Sequence, residues 1–189
     1  MCEQDISRYA IVRATAIILI VNLNFIISDG SIIMFELSRR VDESTRECLA
    51  IEVDTSLPAQ RRVRVMEQLE VERGPPNQVR VDNGPELVSS TFADWCEEHG
   101  IEVVYIQKGK PQQNGFAERF NGSFHYKSLD AYLFESLGRV REMAWLWRLD
   151  YNSEWPHESL GHLPCSIYRQ KLENSSSGGA SLMGKWTRS

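Results

Sequence analysis

The 189-residue chain has no excess of positive charge: 21 Lys and Arg stand against 26 Asp and Glu, a net charge of −5. A uniformly basic nucleic-acid coat is excluded, so any such contact must be local. Cysteine is sparse. Cys2, Cys48, Cys96 and Cys165 contain no C-x-x-C pair, which excludes a disulfide framework and fits reduced thiols in a cytoplasmic setting. Cys96-x-x-His99 and His162-x-x-Cys165 have ligand-like spacing, but two isolated pairs do not make a zinc motif. Long apolar runs are also missing. The longest stretch, Ala14–Val21 (ATAIILIV), has eight residues, where a membrane helix needs about 20. It reads as a buried central strand, and no membrane partner is expected. With 42% hydrophobic and 25% charged residues, the composition is that of an ordinary globular domain with tails.

Periodicity then orders the chain. Ala14–Ile27, Ile32–Leu37 and Cys48–Val53 are three strand candidates, and their succession predicts an antiparallel meander. A helix follows, with Ser56 as its cap, Pro58 in its first turn, Val63, Met66 and Leu69 at helical spacing, and Gly74-Pro75-Pro76 as its stop. Gln78–Val81 is a short strand. Thr91 and Asp94 fit a capping box for a second helix with Phe92, Trp95 and Cys96 on one face. Gly100 ends it, and Ile101–Ile106 is the fifth strand. Gly109–Gly115 (GKPQQNG) is a polar loop in which Asn114 can cap the next helix. That helix has Phe116, Phe120 and Phe124 as its apolar stripe. A last helix runs from about Ser136 to Asp150, with Val140, Met143, Ala144 and Trp147 inward. Trp95, Trp145 and Trp147 are core candidates. The Ser/Gly-rich residues from about Asn174 predict a flexible tail. The order β-β-β-α-β-α-β-α-α implies an α/β fold, a mixed five-stranded sheet flanked by helices, and matches the ribonuclease-H-like arrangement.

Two carboxylates stand out. Asp82 follows the end of a short strand, where ligands collect in open α/β sheets, although Asp-Asn-Gly is also a strong turn signal. Glu118 lies near the start of its helix, two residues round from Phe116, or about 200° at 100° per residue, so it points away from the apolar stripe. Alone it would be a dipole-compensating surface glutamate. Between the two lie 35 residues holding one helix, one strand and one loop, so the second helix can start beside the strand end. Two carboxylates meeting there could hold Mg²⁺, a hard ion that accepts oxygen ligands.

Four segments carry a specific resemblance: STRECLAIEVD (Ser44–Asp54), VRVDNGPEL (Val79–Leu87), EEHGIEVVYIQKGKPQQNGFAERFNGSF (Glu97–Phe124) and DYNSEWPHESLGHLP (Asp150–Pro164). With them the chain resembles the catalytic core of insertion-sequence transposases, the integrase-like DDE recombinases related to retroviral integrases. The resemblance implies an Asp-Asp-Glu triad holding two Mg²⁺ or Mn²⁺ ions, with Asp82 as its second acid and Glu118 as its third. It implies DNA as partner, both element ends and target, with cleavage and strand transfer as the reaction, and it makes a homo-oligomer plausible. The first acid departs from the pattern: Asn24, before Phe25, stands where the family has Asp before Phe. Asp29 is five residues on, about 17 Å along a strand, and does not substitute. Asp42 matches a family acid outside the triad.

Lys108, Lys110, Gln113, Asn114, Arg119 and Asn121 cluster around the loop and the Glu118 helix. The resemblance makes them DNA contacts, holding phosphates with little sequence readout. The expected division is a divergent segment at 1–34 that includes the first strand, a core at 35–170, and a flexible tail at 171–189. The reading is an integrase-like catalytic core. The alternative is a remnant that keeps the fold and weak DNA binding without strand transfer. A ribonuclease-H-type nuclease is disfavoured by the GKPQQN and PHESLG segments. His157 is assigned no chemical role.

Overall fold

The structure is a computed structural model that describes residues 17–28, 32–81, 90–106, 115, 119–120, 122–124 and 136–178. Strands β1 (Ile17–Ser28), β2 (Ile32–Asp42) and β3 (Cys48–Asp54) form the expected antiparallel meander. Helix α1 (Ala59–Arg73) leads to β4 (Gln78–Val81), and α2 (Ser90–Glu98) leads to β5 (Glu102–Tyr105). Strand β4 runs parallel to β1, and β5 parallel to β4. The sheet order is β3-β2-β1-β4-β5, so the β-branched N-terminal strand is central, as its composition demands. Helices α3 (Leu137–Ser153) and α4 (Cys165–Gly178) follow.

The sheet divides two apolar layers. One joins Leu37, Val41 and Val53 to Phe120, Phe124, Val140, Ala144, Trp147 and Tyr151. The other joins Val79 and Val81 to Val65, Met66 and Leu69 of α1 and Phe92, Trp95 and Cys96 of α2. A bulge tunes β3 to both layers. Arg40 pairs with Ala50 and Val41 with Cys48, which leaves Leu49 as the extra residue. The strand changes phase there, so Cys48 and Ile51 serve one layer while Leu49 and Ala50 serve the other.

Several local expectations are corrected. Pro58, not Ser56, is the N-cap of α1, and it makes no side-chain cap bond. Ser56 lies two residues outside the helix, while Glu36 Oε2 accepts from the Leu57 N–H at 2.8 Å. Thr91 is the second residue of α2 and so cannot cap it. Gly100 does end α2, at φ +66°, with the Ile101 N–H returning to Cys96 O at 2.8 Å; the left-handed turn favours glycine. Trp145 is 53% exposed, because two residues, about 200° of helix, separate it from the buried Trp147. Residues 171–178, expected within a tail, belong to α4. Asn114, Phe116 and the loop around them lie outside the described residues.

Strand β3 is one edge of the sheet, and α3 closes it with side chains. Asn152 Oδ1 accepts from the Cys48 N–H at 2.8 Å, and Asn152 Nδ2 donates to Cys48 O at 2.9 Å. Arg148 donates to Leu49 O at 2.5 Å and Arg141 to Val53 O at 2.9 Å. An open edge would otherwise present these groups to another chain. Asn152→Ala removes both bonds to Cys48 and should cost about 2 kcal/mol. That is a fall in melting midpoint of about 4–8 °C in a thermal melt followed by circular dichroism.

Candidate active site and nucleic-acid interface

Strand β4 delivers the chain to Asp82. Its last residue, Val81, is fully buried and pairs with Ile20 of β1. Two residues before Asp82, Arg80 is neutralised by both carboxylate oxygens of Glu43, at 2.7 and 2.8 Å. Asp82, Glu118, Lys108, Lys110, Gln113, Asn114 and Asn121 lie outside the described residues. Asn24 stands in β1 opposite Glu36 of β2. It is four residues beyond Ile20, about 13 Å along the strand, and Asn22 lies between them.

The helical residues around Arg119 are described in part. Arg119 is exposed and its Nε donates to Gly115 O at 3.2 Å. Phe120 and Phe124 face inward, as the four-residue spacing predicts, into a cage of aromatic rings. Phe120 meets Trp147 at 5.4 Å and Tyr151 at 5.0 Å, both edge-on, and Phe124 meets Trp147 edge-on at 4.9 Å. Such pairs add about 0.5–1.5 kcal/mol each beyond area burial. The cage seats the segment next to Glu118 on the same sheet that carries β4, and it leaves Arg119 in solvent.

The motif residues around this cage are scaffold. Asp42 Oδ1 accepts from Ser44 N–H at 2.8 Å and Ser44 O–H at 2.6 Å, closing the turn after β2. Glu47, buried, takes both Arg73 nitrogens at 2.6 and 2.8 Å and Arg169 at 3.3 Å. It thereby ties α1 and α4 to the start of β3. Trp155 lies 5.6 Å from Trp147 and 5.7 Å from Tyr151, and His157 packs edge-on to Tyr151 at 4.9 Å. Gly161, at φ +65°, lets the chain turn so that His162 N–H returns to His157 O at 2.9 Å. Sequence reasoning assigned no role to Tyr151 or Asn152. The signal was an aromatic at the end of the apolar stripe of α3, followed by an amide.

No three His, Cys, Asp or Glu side chains gather as a metal-binding group among the described residues. His99 stacks on Trp95 at 4.4 Å, with Nδ1 2.8 Å from Trp95 O and Nε2 3.5 Å from Glu70. Cys48, Cys96 and Cys165 are buried free thiols, each pushed up to about 12, chiefly by burial.

Two family models, both described as Integrase core domain, match residues 34–111 and 99–164. The chain belongs to the integrase core family. Among curated proteins, this integrase core is 42% identical over 139 residues to an uncharacterized 39.2 kDa protein of insertion element IS476 from Xanthomonas euvesicatoria, covering 71% of this chain and 40% of that one. It is 36% identical over 131 residues to an uncharacterized 31.7 kDa protein of insertion element IS407 from Burkholderia multivorans, covering 69% and 47%. The chain thus spans less than half the length of these relatives. Among solved structures, the catalytic core domain of BIV integrase superposes with a TM-score of 0.61 at 18% identity, covering 86% of this chain and 99% of that one. The HTLV-2 integrase catalytic core domain in complex with magnesium gives 0.59 at 18%, covering 82% and 96%. The fold is ribonuclease-H-like, α/β, as the element order predicted.

His157 generates a pH prediction. Burial, the largest cause, holds its imidazole below the usual value near 6.5, against a hydrogen bond to the Tyr151 backbone that raises it. A depressed histidine is less protonated folded than unfolded, so its contribution is full above about pH 6.5 and is lost as pH falls through the folded value. Urea midpoints should drop on acidification through that window. In His157→Phe that part of the drop should be missing.

Proposed function

We propose that this integrase core serves DNA transposition, as the metal-dependent strand-cleaving and strand-joining part of an insertion-element transposase. The observation that carries this reading is the ordered set of motifs, DNGPE, then GKPQQN with Glu118, then DYN and PHESLG, within a chain whose residues 34–164 the two integrase-core matches span between them. Asp82 and Glu118 would hold Mg²⁺ or Mn²⁺, with two ions expected in an intact site. The ions' chemistry would be to activate the attacking oxygen and stabilise the leaving one in an in-line displacement. The protein's part is positional. The aromatic cage would brace the helical residues next to Glu118, while β4 ends at Val81, one residue before Asp82. Lys108, Lys110, Gln113, Asn114, Arg119 and Asn121 would hold DNA phosphates. Arg119, exposed and bonded only to a backbone carbonyl among the described residues, is available for this. Pairing of two element ends would favour a homo-oligomer in the cytoplasm. No helix among the described residues is long and apolar enough to cross a membrane.

A second reading has its own observation. Asn24 offers a neutral carbonyl oxygen where the family's first acid is expected, so the site would carry −2 instead of −3 against two divalent ions. On this reading the chain is a remnant that keeps the fold and weak DNA binding and has lost strand transfer.

One assay separates the two. The chain is incubated with Mg²⁺ or Mn²⁺ and DNA carrying the element ends, and 3′ nicking and joining are scored on a gel. Activity that vanishes in Glu118→Gln supports the competent enzyme. Activity that appears only in Asn24→Asp supports the remnant and its register; appearance in Asn22→Asp instead puts the first acid two residues earlier. No activity in any of these would defeat the catalytic assignment of Asp82 and Glu118. Separately, Lys108→Ala with Arg119→Ala should weaken DNA binding equally across sequences. It should also reduce the salt slope of log K by roughly 2 in a fluorescence-anisotropy titration.

A further inference from the structure

One buried charge has no part in the chemistry above. Arg39 of β2 is 0% exposed, and none of its three guanidinium nitrogens has a hydrogen-bond partner among the described residues. Strands flank it on both sides, since it pairs with Val21 of β1 and Ile51 of β3. Its Cζ lies 5.3 Å from the centre of the Phe120 ring and 5.0 Å from that of Phe124. Ring faces attract a cation, but they recover only part of what burial costs it. Burial lowers the guanidinium to about 10, against the Cys48 sulfur, which raises it. The group therefore keeps its charge at neutral pH.

Two separate features bring this charge toward the candidate metal ligands. The first is the layer it enters. Phe120 is two residues from Glu118 in sequence, so Arg39 packs on the helical residues next to that acid. The second is height along the sheet. Ile20 of β1 pairs with Val81, the last residue of β4, and the next residue of β1, Val21, pairs with Arg39. Arg39 thus stands one step beyond Val81, and Asp82 is the residue after Val81 in sequence. From β2 to β4 is two strand spacings, about 10 Å. Arg40, the next residue, faces the other layer, beside Arg62.

We infer that Arg39 is an internal positive charge that opposes divalent cations at Asp82 and Glu118, and so limits how tightly those carboxylates hold them. A fixed cation cancels part of the negative charge that draws a metal ion in. At about 10 Å and an effective dielectric of about 20, a unit charge changes the binding constant of a divalent ion by roughly a hundredfold. Salt and water at the site reduce that to about tenfold or more. The inference rests on the reading of Asp82 and Glu118 as metal ligands. It does not depend on which residue of β1 stands at the first acid.

The test titrates the full chain with Mn²⁺ and follows free Mn²⁺ by electron paramagnetic resonance. Arg39→Met keeps the bulk and removes the charge, and should bind Mn²⁺ about tenfold or more tightly than the unaltered chain. The neutral Arg39→Gln should do the same, which keeps the inference open to refutation if the Met variant does not fold by circular dichroism. Arg39→Lys keeps the charge and should bind as the unaltered chain does. Arg40→Met removes an equal charge from the opposite layer and should stay within about threefold. The gain should vanish in Arg39→Met/Glu118→Gln. Glu118-dependent binding that is unchanged or weaker in the neutral variants overturns the inference alone. A gain in Arg39→Lys equal to that in Arg39→Met also overturns it, because packing and not charge would then be the cause. Binding that no variant makes dependent on Glu118 defeats the metal-ligand reading and the inference with it.

Discussion

The docking of α3 along β3 is the contact on which the rest of the structure depends. A sheet edge leaves backbone groups unpaired until something covers it, and the apolar face of a sheet needs a helix packed on it. Here one helix does both jobs with different faces. Val140, Ala144, Trp147 and Tyr151 supply the apolar face, and Trp147 and Tyr151 receive Phe120 and Phe124. The adjoining face, through Arg141, Arg148 and Asn152, takes the unpaired carbonyls and the amide of β3. Side chains on adjoining faces of one helix therefore pack the described residues beside Glu118 and seal the sheet. The DYN motif is readable in these terms: Tyr151 serves the cage and Asn152 the edge.

Much of the architecture was legible because it depends on period and punctuation. The β-branched run at 17–28, the apolar spacing of α1 and α2, and Gly74 and Gly100 as stops are local properties of the chain. What failed was decided by tertiary context. Ser56 could have capped a helix beginning at 57, but Glu36, from a different strand, binds the Leu57 N–H. Trp145 is as apolar as Trp147, and only the rotation of α3 separates a core ring from a surface one. The bulge at Leu49 had no sequence signature, since it arises from how β3 pairs with β2. The candidate acids were found from spacing and resemblance together. A lone Asp-Asn-Gly or a glutamate in a first helical turn has too many ordinary uses to declare itself.

The buried polar groups of the core are served unevenly. Asp42, Thr45 and Glu47 are hydrogen-bonded at the turn after β2, while Arg39, Arg40 and the indole nitrogens of Trp95 and Trp147 are buried with no hydrogen bond among the described residues. In β2, the two cations Arg39 and Arg40 occupy fully buried positions that favour hydrocarbon.

The free thiols make a practical consequence of the packing. Cys48 sits at the edge that α3 seals, Cys96 under α2, and Cys165 at the start of α4. Burial raises each thiol well above its ordinary value, so an alkylating reagent reacts when a layer parts. Among the described residues, these three cysteines thus serve as three clocks, each timing how often its own layer opens.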